Sequence, residues 1–335
     1  MVSEMLSVNL ASFPKEVQKL ILELYKQKYC NEEIRLEDEQ LHLNDGIHQL
    51  ISREVSALQA IWSKNKDLYF KEKCIDCDPE KLDNLVGKYG LERIKNSVNQ
   101  LMLRYKNIGN QISTLNVLDE FNRGLSNILL EIFQVDKTMQ PIDILDEYSS
   151  EKLRLDSNQG ALLSGKINKT FYNYALCHHC YSKVKSHTIQ MVTGNCYRNE
   201  KDYDRFRLPK FKMTELVFFD SDNQLAVLKE KIMALFKIMG DSIGLKYRIR
   251  IANDSFITND VERILYQVLN KSKIELEVYT PIEDKYISIC SSNYHGSYFS
   301  QKFSITREDK SYIQSMCVGF GLNRIIEILK DAGEL

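Results

Sequence analysis

The chain has 335 residues with 45 basic and 46 acidic side chains, so its formal net charge is −1. This balance excludes the chain-wide basic surface of a non-specific nucleic-acid binder, and no apolar run reaches the roughly 18 residues of a membrane span. Eight cysteines in so long a chain do not form a disulfide scaffold, and the first residues lack the pattern of a secretion signal. We therefore expect a cytoplasmic protein that does not bind a membrane.

Apolar residues recur at helical spacing through the first 135 residues. This pattern predicts a helical N-terminal region over 1–140, with individual helices within 14–29, 47–62, 91–105 and 113–133. Charges of both signs are nearly balanced along these helices. We therefore expect a packed helical domain or dimer-facing helices, and not an arm that grips RNA.

The hydrophobic period changes after about residue 140. The segments 245–253 and 273–281 alternate apolar and charged residues, as half-buried strands do, and 223–245 is an amphipathic helix between strands. We predict an α+β domain over 141–335. A sheet face that carries charge in place of serine and threonine is a candidate for a site.

The segment 193–222 predicts two strands around a long charged loop. Alternation places Arg198 and Glu200 on one face of the first strand, and Phe211 and Glu215 on one face of the second. An arginine binds phosphate through two hydrogen bonds, and an aromatic ring stacks on a base. The hairpin is therefore either a nucleotide-binding surface or a hairpin with ordinary surface charges.

A second glycine-containing motif, "CVGFGLNRIIEIL", lies at 317–329. It predicts a strand end, a glycine-permitted turn at Gly319 and Gly321, and a helix that begins near Arg324. A dinucleotide-binding turn has a third glycine and a following βαβ unit, and both are missing here.

Together these motifs resemble a known family. "CYRNE…RLPKFKMTE", followed about 100 residues later by "GFGLNR", resembles motifs 2 and 3 of the class II aminoacyl-tRNA synthetases. "ELEVYTP", "SSNYH" and "CVGFGLNR" are similar to the amino acid:[carrier protein] ligases, which are shortened relatives of the zinc-dependent seryl-tRNA synthetases. The resemblance covers roughly 175–330. It implies a class II synthetase-like antiparallel sheet flanked by helices, which follows the helical N-terminal region.

The resemblance also implies an activity. This family activates a small amino acid with ATP to an aminoacyl-adenylate and passes the aminoacyl group to the phosphopantetheine thiol of an acyl or peptidyl carrier protein, not to tRNA. We expect a homodimer that uses ATP as co-substrate with Mg²⁺ and Zn²⁺. The alternatives are a zinc-dependent seryl-tRNA synthetase, which the weak N-terminal charge disfavours, and a non-catalytic paralogue that serves as a binding or regulatory subunit. Retention of Arg198, Glu277 and Arg324 disfavours the paralogue.

Carried over by position, the family's site falls on particular residues. Arg198 would hold the α-phosphate, Phe211 would stack on the adenine, Arg324 would contact the γ-phosphate and the other face of the base, and Glu277 would lie near ATP and its magnesium. The ATP-binding set also includes Glu200 and Arg207. The substrate-binding candidates are Asp254, Ser291, Asn293 and His295, of which Asn293 and His295 either line the pocket or stabilise a loop.

The family's zinc ligands fall on Cys177, Glu215 and Cys317. Three protein ligands leave the fourth position of zinc open, which is the arrangement of a catalytic site. That position would take the substrate's α-amino group. Two alternatives stay open: Cys180 as first ligand in place of Cys177, and a four-cysteine site of Cys177 and Cys180 with the pair at 74 and 77.

Two features depart from the family pattern. The dimer-interface motif 1 is not recognisable, and a second magnesium-binding acid would fall near Ile287, which leaves the number of magnesium ions open. The serine of "MGDSIGL" resembles a carrier-protein motif, but it ends a predicted helix and we expect a coincidence.

Overall fold

The structure is a computed structural model that describes residues 6–13, 15–29, 34–43, 45–71, 79–107, 114–153, 165–167, 170–182, 184, 187–199, 202–252 and 272–334. The chain divides into two compact units, residues 1–73 with 251–273 and residues 74–250 with 274–335. Among the helices in the described ranges, none combines the length and the hydropathy needed to cross a bilayer.

The described part of the first unit contains helices α1 (Lys15–Tyr29) and α2 (Asp45–Lys71) and a small antiparallel sheet. Its strands are β1 (Leu6–Asn9), β2 (Arg35–Glu37) and β3 (Gln40–Leu43), in the order β1-β3-β2. Both helices coincide with predicted ones, and their apolar stripes share a buried core with the sheet. The sheet is absent from the predictions because three or four residues give too short an alternation to recognise.

A seven-stranded sheet organises the second unit. The order across it is β4 (Lys137–Met139), β7 (Thr188–Tyr197), β8 (Lys210–Asp220), β12 (Gln314–Gly321), β11 (Lys285–Gly296), β10 (Lys273–Thr280) and β9 (Tyr247–Ile251). The pairs β7–β8, β8–β12 and β12–β11 are antiparallel, and β4 is parallel to β7. A separate two-stranded ladder joins β5 (Lys166–Ile167) and β6 (Thr170–Phe171). The predicted α+β class with an antiparallel sheet is confirmed.

Helices cover one face of this sheet with a large apolar core. They are α3 (Pro79–Lys88), α4 (Glu92–Lys106), α5 (Thr114–Ile132), α8 (Asp222–Ile243) and α10 (Leu322–Glu334). Ser221 caps the N-terminus of α8, because its hydroxyl accepts a hydrogen bond from the amide of Gln224. Gly244 caps the C-terminus with a φ of 74°, which glycine adopts readily. Ser242, the serine of "MGDSIGL", lies inside this helix and donates to the carbonyl of Ile238 at 2.7 Å.

The opposite face carries a smaller core and three short helices, α6 (Glu147–Lys152), α7 (His178–Tyr181) and α9 (Tyr298–Phe303). This face holds the site. The predicted boundary near residue 140 falls inside the second unit, because α3, α4 and α5 pack on the same sheet. The functional division of the chain at that residue stays a prediction.

Candidate active site

Strand register places four of the predicted site residues on the face of the sheet that carries the smaller core. Glu215 of β8 lies opposite Gly319 of β12, which lies opposite Ser291 of β11. Cys317 lies opposite Asn293 on the same two inner strands. Opposite residues of an antiparallel pair point to one face, as do alternate residues of a strand. These five residues therefore share the face that α7 and α9 flank.

A side chain at position 319 would crowd the neighbouring residues of β8. A Cβ atom there would lie 2.9 Å from Cε of Met213 and 3.5 Å from Cγ of Glu215. At Gly321 the nearest atom, the carbonyl oxygen of Ile289, would be at an ordinary 3.5 Å. Neither glycine has a positive φ. The strand therefore passes into α10 without the glycine-dependent turn predicted from the sequence.

Cys177, His295 and Cys317 form a compact cluster. Their ligand atoms all lie within 4.8 Å of one another, and Nε2 of His295 is 3.2 Å from Sγ of Cys317. Both cysteines are buried, and His295 is half-buried. The two predicted sulfur ligands thus come together, and a histidine assigned to the substrate pocket joins them.

The alternative sulfur ligands have different positions. Cys180 is buried in α7 but is not part of the three-residue cluster. Residues 74 and 77 lie outside the described residues, so the four-cysteine alternative has no structural description.

Glu215 lies beside the cluster, held by the chain on which Cys177 sits. Its carboxylate accepts the amides of Leu176 at 3.3 Å and Cys177 at 2.9 Å. Burial and the nearby Cys317 raise the pKa of Glu215 to about 8, despite these hydrogen bonds. The carboxylate is therefore oriented, desolvated and next to two thiols.

The donor set suits a zinc ion. A hydrogen bond with Cys317, burial and the charge of Glu215 raise the pKa of Cys177 well above its ordinary value. Each acidic group thus keeps its neighbour protonated, and a divalent cation would replace those protons. Two sulfurs, one imidazole nitrogen and one carboxylate are the ligand types that zinc takes in proteins.

Arg198 and Phe211 meet at the other end of the β7–β8 hairpin. Cys196 pairs with Phe211 in register, and the guanidinium of Arg198 lies 5.4 Å from the Phe211 ring centroid. Nη1 of Arg198 donates to the carbonyl of Tyr174. The arginine and the aromatic ring that the hairpin pattern predicts to be neighbours are therefore in contact.

Arg324 extends from the first turn of α10 to two backbone carbonyls. Its Nε donates to Phe206 at 2.7 Å and its Nη1 to Ser288 at 3.0 Å. Phe206 belongs to the β7–β8 loop, in which Asp204 and Arg207 close a tight turn through mutual backbone hydrogen bonds of 3.1 and 3.2 Å. The two arginine motifs are thus joined through this loop.

Arg205 anchors the same loop. It donates to both carboxylate oxygens of Asp331 at 2.6 and 2.9 Å, and its Nε donates to Glu283 at 2.5 Å. Asp331 is buried and also accepts the hydroxyl of Thr280 at 2.5 Å. These carboxylates, Asp331 first, raise the pKa of Arg205. We call Arg205, Asp331, Thr280 and Glu283 the loop anchor.

Glu277 forms ion pairs with two arginines of the neighbouring strand. Its carboxylate is 2.6 Å from Nε of Arg248 and 3.6 Å from Nε of Arg250. The predicted charged face of β9 is therefore the partner of the predicted acid of β10. Its role beside magnesium stays a prediction.

Other candidates are placed in part. Glu200 and Asp254 lie outside the described residues. Asn293 has a buried Oδ1 without a hydrogen-bond partner among the described residues, so an acceptor points into the site without a donor. Sequence reasoning missed the loop anchor, whose residues have no motif, and the histidine–cysteine contact.

Comparisons with known proteins find a family and several relatives. Residues 175–334 match the family described as the class II core domain (F) of the tRNA synthetases. The chain is 26% identical over 136 residues, 40% of each sequence, to "Amino acid--[acyl-carrier-protein] ligase 2" of Bradyrhizobium diazoefficiens. It is 25% identical over 122 residues, 36% of this chain and 24% of the other, to the "Type-2 serine--tRNA ligase" of Methanothermobacter thermautotrophicus. The match thus spans about two fifths of the length of the carrier-protein ligases.

Among solved structures, seryl-tRNA synthetase from Pyrococcus horikoshii complexed with ATP matches 69% of this chain and 50% of its own. The TM-score is 0.47 at 12% identity, and a score of this size supports no statement about function. The family match, in contrast, begins just before Cys177 and extends through α10, so it contains the whole described site. Residues 175–334 of the chain therefore match the class II core domain of the tRNA synthetases.

Proposed function

We propose that this protein activates a small amino acid with ATP and transfers the aminoacyl group to the phosphopantetheine thiol of a carrier protein. Two carrier-protein ligases among its relatives support the substrate class. The observation that carries the proposal is the presence of two different subsites on one sheet face, the Arg198–Phe211 pair and the cluster of Cys177 and Cys317 beside Glu215.

The spacing of these subsites suits an aminoacyl-adenylate. Phe211 and Glu215 are four residues apart on β8 and share its face, which separates them by about 13 Å along the strand. A nucleotide base at Phe211 and an amino group near Glu215 would therefore leave the phosphate and carboxylate between them. Glu215 lies where the amine would bind, and Arg198 supplies the positive charge for the phosphate.

Activation is an in-line displacement at phosphorus. A carboxylate oxygen of the amino acid forms a bond to the α-phosphorus while the bond to pyrophosphate breaks. Catalysis of such a step consists mainly of positioning and charge neutralisation. Arg198 would hold the α-phosphate and Arg324 the γ-phosphate, with Mg²⁺ near Glu277 completing the neutralisation.

Zinc would be held by Cys177, Glu215 and Cys317, and when bound it would bind the substrate's α-amino group in its neutral form. The chain's own contribution is to bury these donors and to fix Glu215 through the amides of Leu176 and Cys177. Substrates without the amine would lose this contact, which gives selectivity.

Transfer follows at the carbonyl carbon of the adenylate. The phosphopantetheine sulfur forms a bond to this carbon, the bond to the phosphate oxygen breaks, AMP leaves with that electron pair, and the thiol proton is released. A homodimer, expected from the family resemblance, is part of the proposal.

The test is amino-acid-dependent ATP–pyrophosphate exchange with all twenty amino acids, together with metal analysis of the same sample. We expect exchange with one or a few small amino acids and about one zinc per chain. Exchange with none would contradict activation of a standard amino acid. The matched variant is Arg198→Lys. It keeps the positive charge but cannot bind phosphate through two hydrogen bonds, so it should lower pyrophosphate exchange.

A second candidate is aminoacylation of tRNA, since two type-2 serine--tRNA ligases are also relatives. The acceptor decides between the candidates. Transfer of the activated amino acid to a phosphopantetheinylated carrier, and not to tRNA, is expected. Transfer to tRNA alone would favour the synthetase, and its serine specificity would appear in the exchange assay.

A further inference from the structure

His295 has a contact that a substrate-pocket residue does not need. Its Nε2 is 3.2 Å from Sγ of Cys317, and a ring nitrogen of His295 and the two Sγ atoms of Cys177 and Cys317 all lie within 4.8 Å of one another. The ring is held from the side by Phe299, edge to face, with centroids 4.9 Å apart. The imidazole is thus positioned toward the two sulfurs.

The distances agree with shared coordination of one metal ion. Zinc–nitrogen and zinc–sulfur bonds at a tetrahedral angle place the two donor atoms about 3.5 Å apart. The observed 3.2 Å is close to this separation and needs little movement to accommodate an ion. A thiol–imidazole hydrogen bond has a similar length, so the two explanations require an experiment to separate them.

We propose that His295 is a ligand of the metal together with Cys177 and Cys317 in the absence of substrate, and that the substrate's α-amino group replaces it. The inference rests on the proposed function only for the identity of the substrate and the presence of the metal. With Glu215 as the fourth donor, the resting site is closed to water and opens only for an amine.

Charge identifies His295 as the ligand that leaves. Cys177, Cys317 and Glu215 are buried and would be anionic as metal ligands, so releasing one of them would leave an uncompensated charge. Neutral imidazole and neutral amine can exchange without changing the charge of the site. His295 also lies where the pairing of β11 with β12 shifts register, between Tyr294 and Gly296, and such an irregularity re-aims the side chain it carries.

The experiment loads the full chain with Co²⁺ and records proton NMR. A histidine bound to Co²⁺ has a strongly shifted ring N–H resonance that disappears in D₂O. We expect one such resonance in the wild type and none in His295→Gln. His187→Gln is the matched control, because His187 is exposed and its ring pairs with Asp220 at 3.1 Å, away from the two sulfurs. It should leave the resonance unchanged.

Amino-acid binding tests the exchange. Addition of glycine or L-alanine should remove the shifted resonance of the wild type. His295→Gln should bind zinc about tenfold or more weakly, yet its cobalt form should bind the amino acid more tightly, since a competing ligand is gone. A residue that merely lined the pocket would change amino-acid affinity in the opposite direction.

Each contrary result overturns a stated part. Bound Co²⁺ with sulfur-to-metal absorption but no shifted resonance would refute ligation by His295 and leave the proposed function intact. A resonance that persists after addition of either amino acid would refute the replacement of His295 by the amine. Failure of the wild type to bind Co²⁺ or Zn²⁺ would refute the inference and the zinc of the proposed function together. A wild-type protein that shows the shifted resonance but no pyrophosphate exchange would refute only the proposed function.

Discussion

The loop anchor should stabilise the second unit and the proposed ATP subsite together, and Arg205→Gln tests this. The Arg205 side chain is 31% exposed, whereas that of Asp331 is 2% exposed. Removing one partner of a buried ion pair costs about 3–5 kcal/mol, because the remaining charge is desolvated and unpaired. Since Arg205 is partly exposed, and water can approach the vacated position, we expect a smaller loss of about 2–3 kcal/mol.

Urea unfolding followed by far-UV circular dichroism measures this loss. The single tryptophan, Trp62, belongs to the first unit, so its fluorescence reports unfolding of the first unit and not of the second. Comparing the two signals shows which unit a substitution destabilises. Asp331→Asn should cost less, about 1–2 kcal/mol, because the amide keeps the Thr280 hydrogen bond. The double variant should show a coupling of at least about 1 kcal/mol.

The control is Arg104→Gln on α4, where Arg104 and Glu120 form an exposed pair at 3.2 Å. It should change stability by less than about 0.5 kcal/mol. In Arg205→Gln the KM for ATP should rise more than kcat falls, because the freed loop carries the Phe206 carbonyl that orients Arg324. A coupling near zero, or a destabilisation seen only by tryptophan fluorescence, would refute the reasoning.

Four further predictions concern single residues. Cys317→Ser should lower zinc content and exchange together, the latter by about 10- to 100-fold, and full zinc with full activity would remove Cys317 from the site. Without metal, in EDTA, folding raises the pKa of Glu215 to about 8. The protonated side chain therefore contributes fully to the free energy of unfolding near pH 4, and this contribution is lost as the pH rises toward 8. The free energy of unfolding should fall by a few kcal/mol over that range. Urea midpoints against pH measure this, and Glu215→Gln should flatten the curve. Gly333→Ala should destabilise by about 1–3 kcal/mol, since the new Cβ would lie 2.1 Å from the carbonyl oxygen of Lys106. Gly87→Ala, a helical glycine with open space around it, should instead stabilise by about 0.5–1 kcal/mol in the same assay.

Much of the fold could be predicted because its patterns are local. The alternation around Phe211 and Glu215 gives the β7–β8 hairpin, and the structure pairs these strands over ten positions from Thr188 to Tyr197. The apolar stripes of the N-terminal half give α1, α2, α4 and α5. Strands β1, β2 and β3 are too short to provide such a pattern.

The rest depends on pairing between distant strands. His295 and Cys317 are 22 residues apart, and they meet only because β11 and β12 are antiparallel with Asn293 opposite Cys317. Arg205 and Asp331 are separated by 126 residues. The alternation of the sequence predicts that Arg248 lies on one face of its strand. It does not predict that this strand pairs with the one that carries Glu277.

The position of β12 has a consequence for how the chain reaches this state. It lies between β8 and β11 in the sheet, although it follows both in sequence. A nascent or truncated chain that ends before Gln314 therefore has two strands with unpaired inner edges and a gap between them. Such edges recruit other strands, so shortened chains should aggregate and depend on chaperones. The same gap leaves Cys177 and Glu215 without Cys317, so binding of the proposed zinc and closure of the sheet should occur together, late in folding.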